Sequence, residues 1–92
     1  MEIVNSFNMK KKIAILGSTG SIGKTTVKII YENLNDFEVI FLSSNNNYRE
    51  LVKQTKKLKP KNIIINNQKN FNLIKKKFKN KKINIFNNFQ DF

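Results

Sequence analysis

A heptapeptide, Gly17-Ser18-Thr19-Gly20-Ser21-Ile22-Gly23, constrains this chain more than any other segment. It holds all three glycines of the 92-residue sequence. The apolar stretch Ile13-Ala14-Ile15-Leu16 runs directly into it, and residues 24–34 beyond it read as helix. Strand, glycine turn and helix in that order make a phosphate cradle. Glycine lets the backbone turn sharply and approach a ligand closely. The helix start adds unpaired N–H groups and the positive end of its dipole. The competing reading is a tight strand-to-helix turn that binds nothing.

The remaining segments place this loop in a sheet. Residues 11–16 read as a first strand, apolar at its centre like a strand covered on both faces. A first helix over 21–34 has Ser21 as N-cap and Ile22, Ile29 and Ile30 on one face, and Asn33, Asn35 and Asp36 break it. Residues 37–43 form a second strand. Asn45-Asn46-Asn47 is a turn, because asparagine tolerates the left-handed region best after glycine. A second helix over 48–58 turns Leu51, Val52, Thr55 and Leu58 inward and ends before Pro60. Residues 61–66 carry Ile63-Ile64-Ile65 as a third strand. A third helix spans 69–78 with Phe71, Ile74 and Phe78 on one face, and 83–86 is a short fourth strand. Residues 87–92 carry little signal. Strands alternating with helices give an α/β class: a Rossmann-like βαβαβαβ parallel sheet with right-handed crossovers, half of a doubly wound dinucleotide-binding domain. Residues 1–10 read as an N-terminal extension with an alternative start at Met9, and 11–92 as one domain. Such sheets bind ligands beyond the carboxyl ends of their strands. Here that edge holds residues 17–23 and 43–47.

Composition narrows the function. Hydrophobic residues make up 39% of the chain in short runs, which favours a folded domain. None of these runs approaches the ~18 residues of a membrane helix, and the first nine residues lack the apolar core of a secretory signal. With no cysteine, disulfide and thiol chemistry are excluded, and a reducing compartment is compatible. The net charge of +12 raises the alternative of a basic nucleic-acid binder. Lysine, however, supplies 17 of 18 basic residues, beside 16 asparagines and 13 isoleucines but one arginine and one proline. That bias follows A/T-rich codons, as in a reduced bacterial genome or an organelle-bearing parasite. The scarcity of arginine argues against base and phosphate readout. Lys75-Lys76-Lys77, with Lys79, Lys81 and Lys82, reads as a solvated helix face and turn.

The loop spacing is G-x-x-G-x-x-G. A site for NAD places an acid about 20 residues past the loop, on the ribose 2′-hydroxyl. The count reaches Ser43, and Ser43-Ser44-Asn45-Asn46-Asn47 contains no acid. Hydroxyls and amides can donate to a 2′-phosphate, so the pattern favours NADP, with Lys24 or another lysine adding charge. Gly23-Lys24-Thr25 matches the end of a P-loop, but the gap from Gly17 to Gly23 is one residue too long, and no strand ends in an acidic magnesium ligand. There is no histidine, and the six acids Glu2, Glu32, Asp36, Glu38, Glu50 and Asp91 form no metal cluster. No nucleophile stands with a base. The chain can hold a cofactor but carries no catalytic or metal-ligating set of its own.

Residues 12–23, Lys-Ile-Ala-Ile-Leu-Gly-Ser-Thr-Gly-Ser-Ile-Gly, resemble the N-terminus of the 1-deoxy-D-xylulose 5-phosphate reductoisomerases. The G-S-T-G-S-I-G form is characteristic of that family, whereas aspartate semialdehyde dehydrogenases carry G-A-T-G-x-V-G. Residues 37–43 resemble its second strand. Asn47, Leu51 and Gln54 fit its N-x-x-x-L-x-x-Q helix, and Leu58-Lys59-Pro60-Lys61 fits its F-x-P-K/R. The likeness covers residues 11–66 and weakens beyond. It implies that Thr19, Gly20, Ser21 and Ile22 contact NADPH, together with Asn45, Asn46 and Asn47. The family has glycine and then lysine, arginine or serine where this chain has Asn45 and Asn46, and an amide cannot ion-pair a 2′-phosphate. It implies an enzyme that rearranges and reduces a sugar phosphate to 2-C-methyl-D-erythritol 4-phosphate, with NADPH and a divalent metal (Mg or Mn), in non-mevalonate isoprenoid biosynthesis. The family's metal-binding acids, substrate loop, and catalytic and C-terminal domains would lie past residue 92. The chain would then be a cofactor half-domain, inactive alone and part of a homodimer at full length, in a bacterial cytoplasm or plastid-like organelle, with no nucleic-acid or membrane partner. The alternative of the same fold is a non-catalytic nucleotide-binding module.

Overall fold

The structure, a computed structural model, describes residues 10–91. Nearly all of the expected N-terminal extension (residues 1–9, with Met9) and Phe92 lie outside the described residues. Strands and helices alternate: β1 Lys11–Ile15, α1 Ser21–Tyr31, β2 Phe37–Ser44, α2 Tyr48–Leu58, β3 Asn62–Ile65, α3 Gln68–Lys77 and β4 Asn84–Phe86. The strands pair in parallel in the order β1-β2-β3-β4. Helix α1 packs on β1, α2 on β2, and α3 on β3 and β4, while α1 touches α2 and α2 touches α3. The helices therefore form one layer on one face, as in half of a doubly wound sheet.

The core lies between that layer and the sheet. Ile13, Ile15, Val39, Leu42, Ile63, Ile65 and Ile85 meet Val27 and Ile30 of α1, Leu51, Val52 and Leu58 of α2, and Ile74 and Phe78 beside α3. A register shift in β2 makes this possible. Ile13 pairs with Val39 but Ala14 with Phe41, so Ile40 is the extra residue of a β-bulge. The bulge resets the alternation, and Val39 and Leu42 both reach the core despite their odd spacing. Beyond it, Leu42, Ser43 and Ser44 sit opposite Ile63, Ile64 and Ile65.

Four expectations need correction. β1 is an edge strand: Lys12 and Ala14 are exposed, and only its Ile13–Ile15 side packs on the core. An apolar run shows that a strand can be covered on both faces, not that a second layer is present. In α1, Ile22 and Ile29 share a face, but it points to solvent, at 84% and 53% exposure. Ile30 lies about 100° round the helix, with Gly23 and Val27 on the buried side. The N-cap of α1 is Gly20 rather than Ser21, and no side chain caps it. Finally, no asparagine in the 45–47 turn has positive φ; the one non-glycine described residue that does is Lys59, at 49°. Its N–H bonds the Thr55 carbonyl at 2.9 Å and closes α2 ahead of Pro60, which cannot continue the helix.

Among the described residues no helix is long and apolar enough to cross a membrane. The segment after β4 returns to the sheet: Phe89 meets Phe41 of β2 edge-on, with ring centres 6.1 Å apart.

At the amino ends of the strands, Lys61 Nζ stands 2.8 Å from Glu38 Oε2. The hydrogen bond from Lys61 holds the Glu38 carboxyl below its ordinary 4.5, with the Lys61, Lys12 and Lys10 charges adding and desolvation opposing. A carboxyl lowered in the folded state contributes stability that is full above the unfolded value and lost as pH falls through the lowered one. Glu38→Gln should therefore lower the melting temperature slightly at pH 7, and melts repeated on acidification below 4.5 should bring the two proteins together.

Candidate functional site

Each glycine of the loop has a different reason to be glycine. Gly17 takes φ +62°, which strains any residue with a Cβ. A Cβ on Gly23 would overlap the Gly17 carbonyl oxygen and lie 2.7 Å from Ser18 Cα, so glycine there lets α1 start hard against the loop. Gly20 meets neither condition. Its φ is −75°, and a Cβ would find its nearest neighbour at an ordinary 3.5 Å. The chain itself has room for a side chain at this exposed position.

The end of β2 fixes the loop. Gly17 N–H donates to Ser43 Oγ at 3.1 Å, and Ser18 N–H to the Ser43 carbonyl at 2.8 Å. Thr19 Oγ1 and Ser44 Oγ share a hydrogen bond of 2.8 Å. From α2, Gln54 Nε2 donates to the Ser18 carbonyl at 2.9 Å and to Glu50 Oε2 at 3.2 Å. Ser18, Ser43, Ser44 and Gln54 are all buried, so these bonds satisfy loop backbone that is cut off from water. Two buried polar atoms beside the loop lack partners, Ser18 Oγ and Gln54 Oε1.

Beyond Gly20 the backbone is free to serve a ligand. The first helical bond runs from Lys24 N–H to the Gly20 carbonyl at 2.8 Å, and the N–H groups of Ser21, Ile22 and Gly23 open the helix ahead of it. No acid stands in the first turn to compete for them. Thr25 Oγ1 bonds back to the Ser21 carbonyl at 3.2 Å, which agrees with rejecting a P-loop reading.

Asn45, Asn46 and Asn47 lie exposed at the same carboxyl edge. Asn47 Oδ1 caps α2 by accepting Glu50 N–H at 3.2 Å. Asn45 Oδ1 accepts from Asn66 at 2.9 Å, and Asn46 Oδ1 from Asn67 at 3.4 Å. A cleft of about 220 Å³ lies between loop and turn, walled by Gly17, Ser44, Asn45, Asn66 and Phe89. Larger basins of about 480 and 420 Å³ lie along the lysine-rich face of α3 and at the amino end of β3, away from the edge where such sheets place ligands.

The structure thus brings both expected groups, residues 19–22 and 45–47, to one edge. Gly20, Ser21 and Ile22 are exposed, while Thr19 is half-buried with its hydroxyl engaged. It corrects the count to Ser43, whose buried side chain serves the loop and leaves residues 45–47 as the exposed part of the turn. Ser44 falls within the expected edge of residues 43–47, whereas sequence reasoning missed Gln54, Asn66 and Asn67 as supports of the site. Its place beside Leu51, Val52 and Thr55 on the apolar side of α2 is the signal that could have found Gln54, which the family's N-x-x-x-L-x-x-Q pattern also holds. Nothing local pointed to Asn66 and Asn67, which reach the site through strand pairing. No group of three metal-ligating side chains exists among the described residues.

A family model for 1-deoxy-D-xylulose 5-phosphate reductoisomerase matches residues 13–90. The chain is 46% identical over 79 residues to the protein of that name from Pelagibacter ubique (strain HTCC1062), covering 86% of this chain and 20% of that protein. It superposes on the reductoisomerase from Zymomonas mobilis in complex with NADPH with a TM-score of 0.79 and 28% identity, over 85% of this chain and 21% of that one. A second solved reductoisomerase, with fosmidomycin and magnesium, gives a TM-score of 0.73 at 26% identity, over 83% and 19%. The chain spans about a fifth of the length of these relatives.

Gly23→Ala should push the loop off the start of α1. We expect a loss of about 2 kcal/mol or more, in the range of core overpacking, read as a lowered denaturation midpoint with unchanged slope.

Proposed function

The chain belongs to the 1-deoxy-D-xylulose 5-phosphate reductoisomerase family, and from that premise we propose that its glycine loop and asparagine turn bind NADPH. NADPH, when bound, supplies a hydride. The N–H groups of Ser21, Ile22 and Gly23 take the pyrophosphate at the start of α1, where the helix dipole favours negative charge. Gly20 lets it come close. Thr19 is tied to Ser44 and shapes the loop from behind. Asn45, Asn46 and Asn47 take the adenosine end and its 2′-phosphate. The exposed Ile22 offers an apolar surface beside them.

The observation that carries this reading is Gly20. The fold's own packing leaves its Cβ direction open, which supports a glycine kept for close approach of a ligand beyond its role as N-cap. A ligand approaching the backbone is what the second glycine of a dinucleotide loop accommodates.

In the full-length protein this segment serves conversion of 1-deoxy-D-xylulose 5-phosphate to 2-C-methyl-D-erythritol 4-phosphate in non-mevalonate isoprenoid biosynthesis, by an enzyme that acts as a homodimer with a divalent metal. The described residues offer no group of three or more acidic, His or Cys side chains for that metal. The 92 residues bind and orient the cofactor and do not turn over substrate alone.

Fluorescence titration of the chain with NADPH and NADH tests the reading. Tighter binding of NADPH is expected; no binding, or equal binding of both, would overturn it. Gly20→Ala should weaken NADPH at least about tenfold while costing about 1 kcal/mol of stability, the difference between glycine and alanine at a helix N-cap. Unchanged affinity in that variant would leave the glycine without a ligand role.

A further inference from the structure

Residues 45–47 of the asparagine turn carry amides and no cation, and Arg49 in the first turn of α2 is the first that follows. Resting on the NADPH reading above, we propose that Asn67, the N-cap of α3, is a positioning residue for telling a phosphorylated nucleotide from an unphosphorylated one: it fixes the Asn46 carboxamide so that the turn presents hydrogen-bond donors to the 2′-phosphate.

The argument follows the hydrogen bonds outward from the backbone. A backbone N–H can only donate, so the Asn67 atom that meets Asn70 N–H, at 3.0 Å, is Oδ1. The Asn67 amide nitrogen is thereby left to donate, and it meets Asn46 Oδ1 at 3.4 Å. With its oxygen taken, Asn46 turns its NH₂ away from Asn67. The same logic holds at Asn47, where Glu50 N–H claims Oδ1. Two adjacent exposed carboxamides therefore have their acceptors committed to helix starts and their donors free.

The segment carrying Asn46 is also held in place. Asn67 N–H bonds the Asn45 carbonyl at 3.2 Å, and Asn70 Nδ2 bonds the Asn46 carbonyl at 2.7 Å. Asn66 adds a bond from Nδ2 to Asn45 Oδ1 at 2.9 Å. The one carboxylate of the turn, Glu50, is engaged by Gln54 and lies 3.9 Å from Lys53. A phosphate meets donors; a free 2′-hydroxyl gains little from them. Because the recognition is by oriented dipoles, it differs from a lysine or arginine clamp in depending weakly on salt.

Asn67→Ser tests the proposal. Serine caps a helix as well as asparagine does, but its one oxygen cannot also hold Asn46. Kd values for NADPH and NADH would be measured by fluorescence titration of the chain at low and high salt, beside thermal melts. The expected result is NADPH weakened about fivefold to tenfold, NADH unchanged and the melting temperature kept. Asn67→Asp, which also caps but faces Asn46 with a second acceptor, should lose more. An unchanged NADPH-to-NADH ratio in both variants would overturn the proposal, and a preference abolished by Arg49→Gln would then assign selection to charge. A wild-type chain that binds neither nucleotide would instead sink the NADPH reading itself.

Discussion

The glycine loop keeps its shape because the end of β2 holds it. Two backbone N–H groups of the loop, those of Gly17 and Ser18, both spend themselves on Ser43. That arrangement depends on the bulge at Ile40 several residues earlier. Without the extra residue, strict alternation from Val39 would turn Ser43 toward the helices and Leu42 away from them. The bulge sends Leu42 into the core and leaves Ser43 opposite Ile64. The core and the site are thus set by one irregularity, and a residue inserted or deleted in β2 would misplace both.

Polar burial at this edge follows from the same requirement. A loop that packs under a helix must pair its carbonyls and N–H groups away from water, and each one left bare costs about 1–3 kcal/mol. Gln54 satisfies the Ser18 carbonyl from α2, a task no apolar residue could perform on that otherwise apolar face. The loop therefore divides into two parts. The N–H groups of Gly17, Ser18 and Gly20 are used internally, and those of Ser21, Ile22 and Gly23 open the helix. Gly20 marks the boundary, exposed and without an internal steric reason to be glycine.

Much of this was legible in the sequence because the elements are short and strongly patterned. The order of strands and helices, the parallel sheet and the edge that bears the site follow from apolar runs punctuated by Gly17, the asparagine triplet and Pro60. The span of α2 was read to the residue, since Asn47 and Pro60 bound it on both sides. What escaped was whatever depends on a partner distant in sequence. Ile22 and Ile29 look like a buried stripe until the position of β1 decides which side of α1 faces the sheet. Ser43 satisfies a count along the chain, yet the bulge gives it a different task. Asn66 and Asn67 look like loop filler until the β2–β3 register places them beside residues 45 and 46.

Much of the chain's positive charge lies away from the candidate site, although Lys24 and Arg49 stand beside it in the first turns of α1 and α2. Lysines line α3 and the amino end of β3 and β4, whereas the cleft between loop and turn is walled by hydroxyls, amides, backbone, Leu16 and Phe89. A field from exposed lysines decays within about 10 Å at ordinary ionic strength, so it can gather anions near the surface without choosing among them. Choice requires donors fixed in direction. Those at this edge are backbone N–H groups held by α1 and carboxamides held by the caps of α2 and α3, and each owes its direction to a helix start. A lysine-rich composition can therefore drift with codon usage without redirecting these donors, because their directions rest on helix geometry rather than on the count of charges.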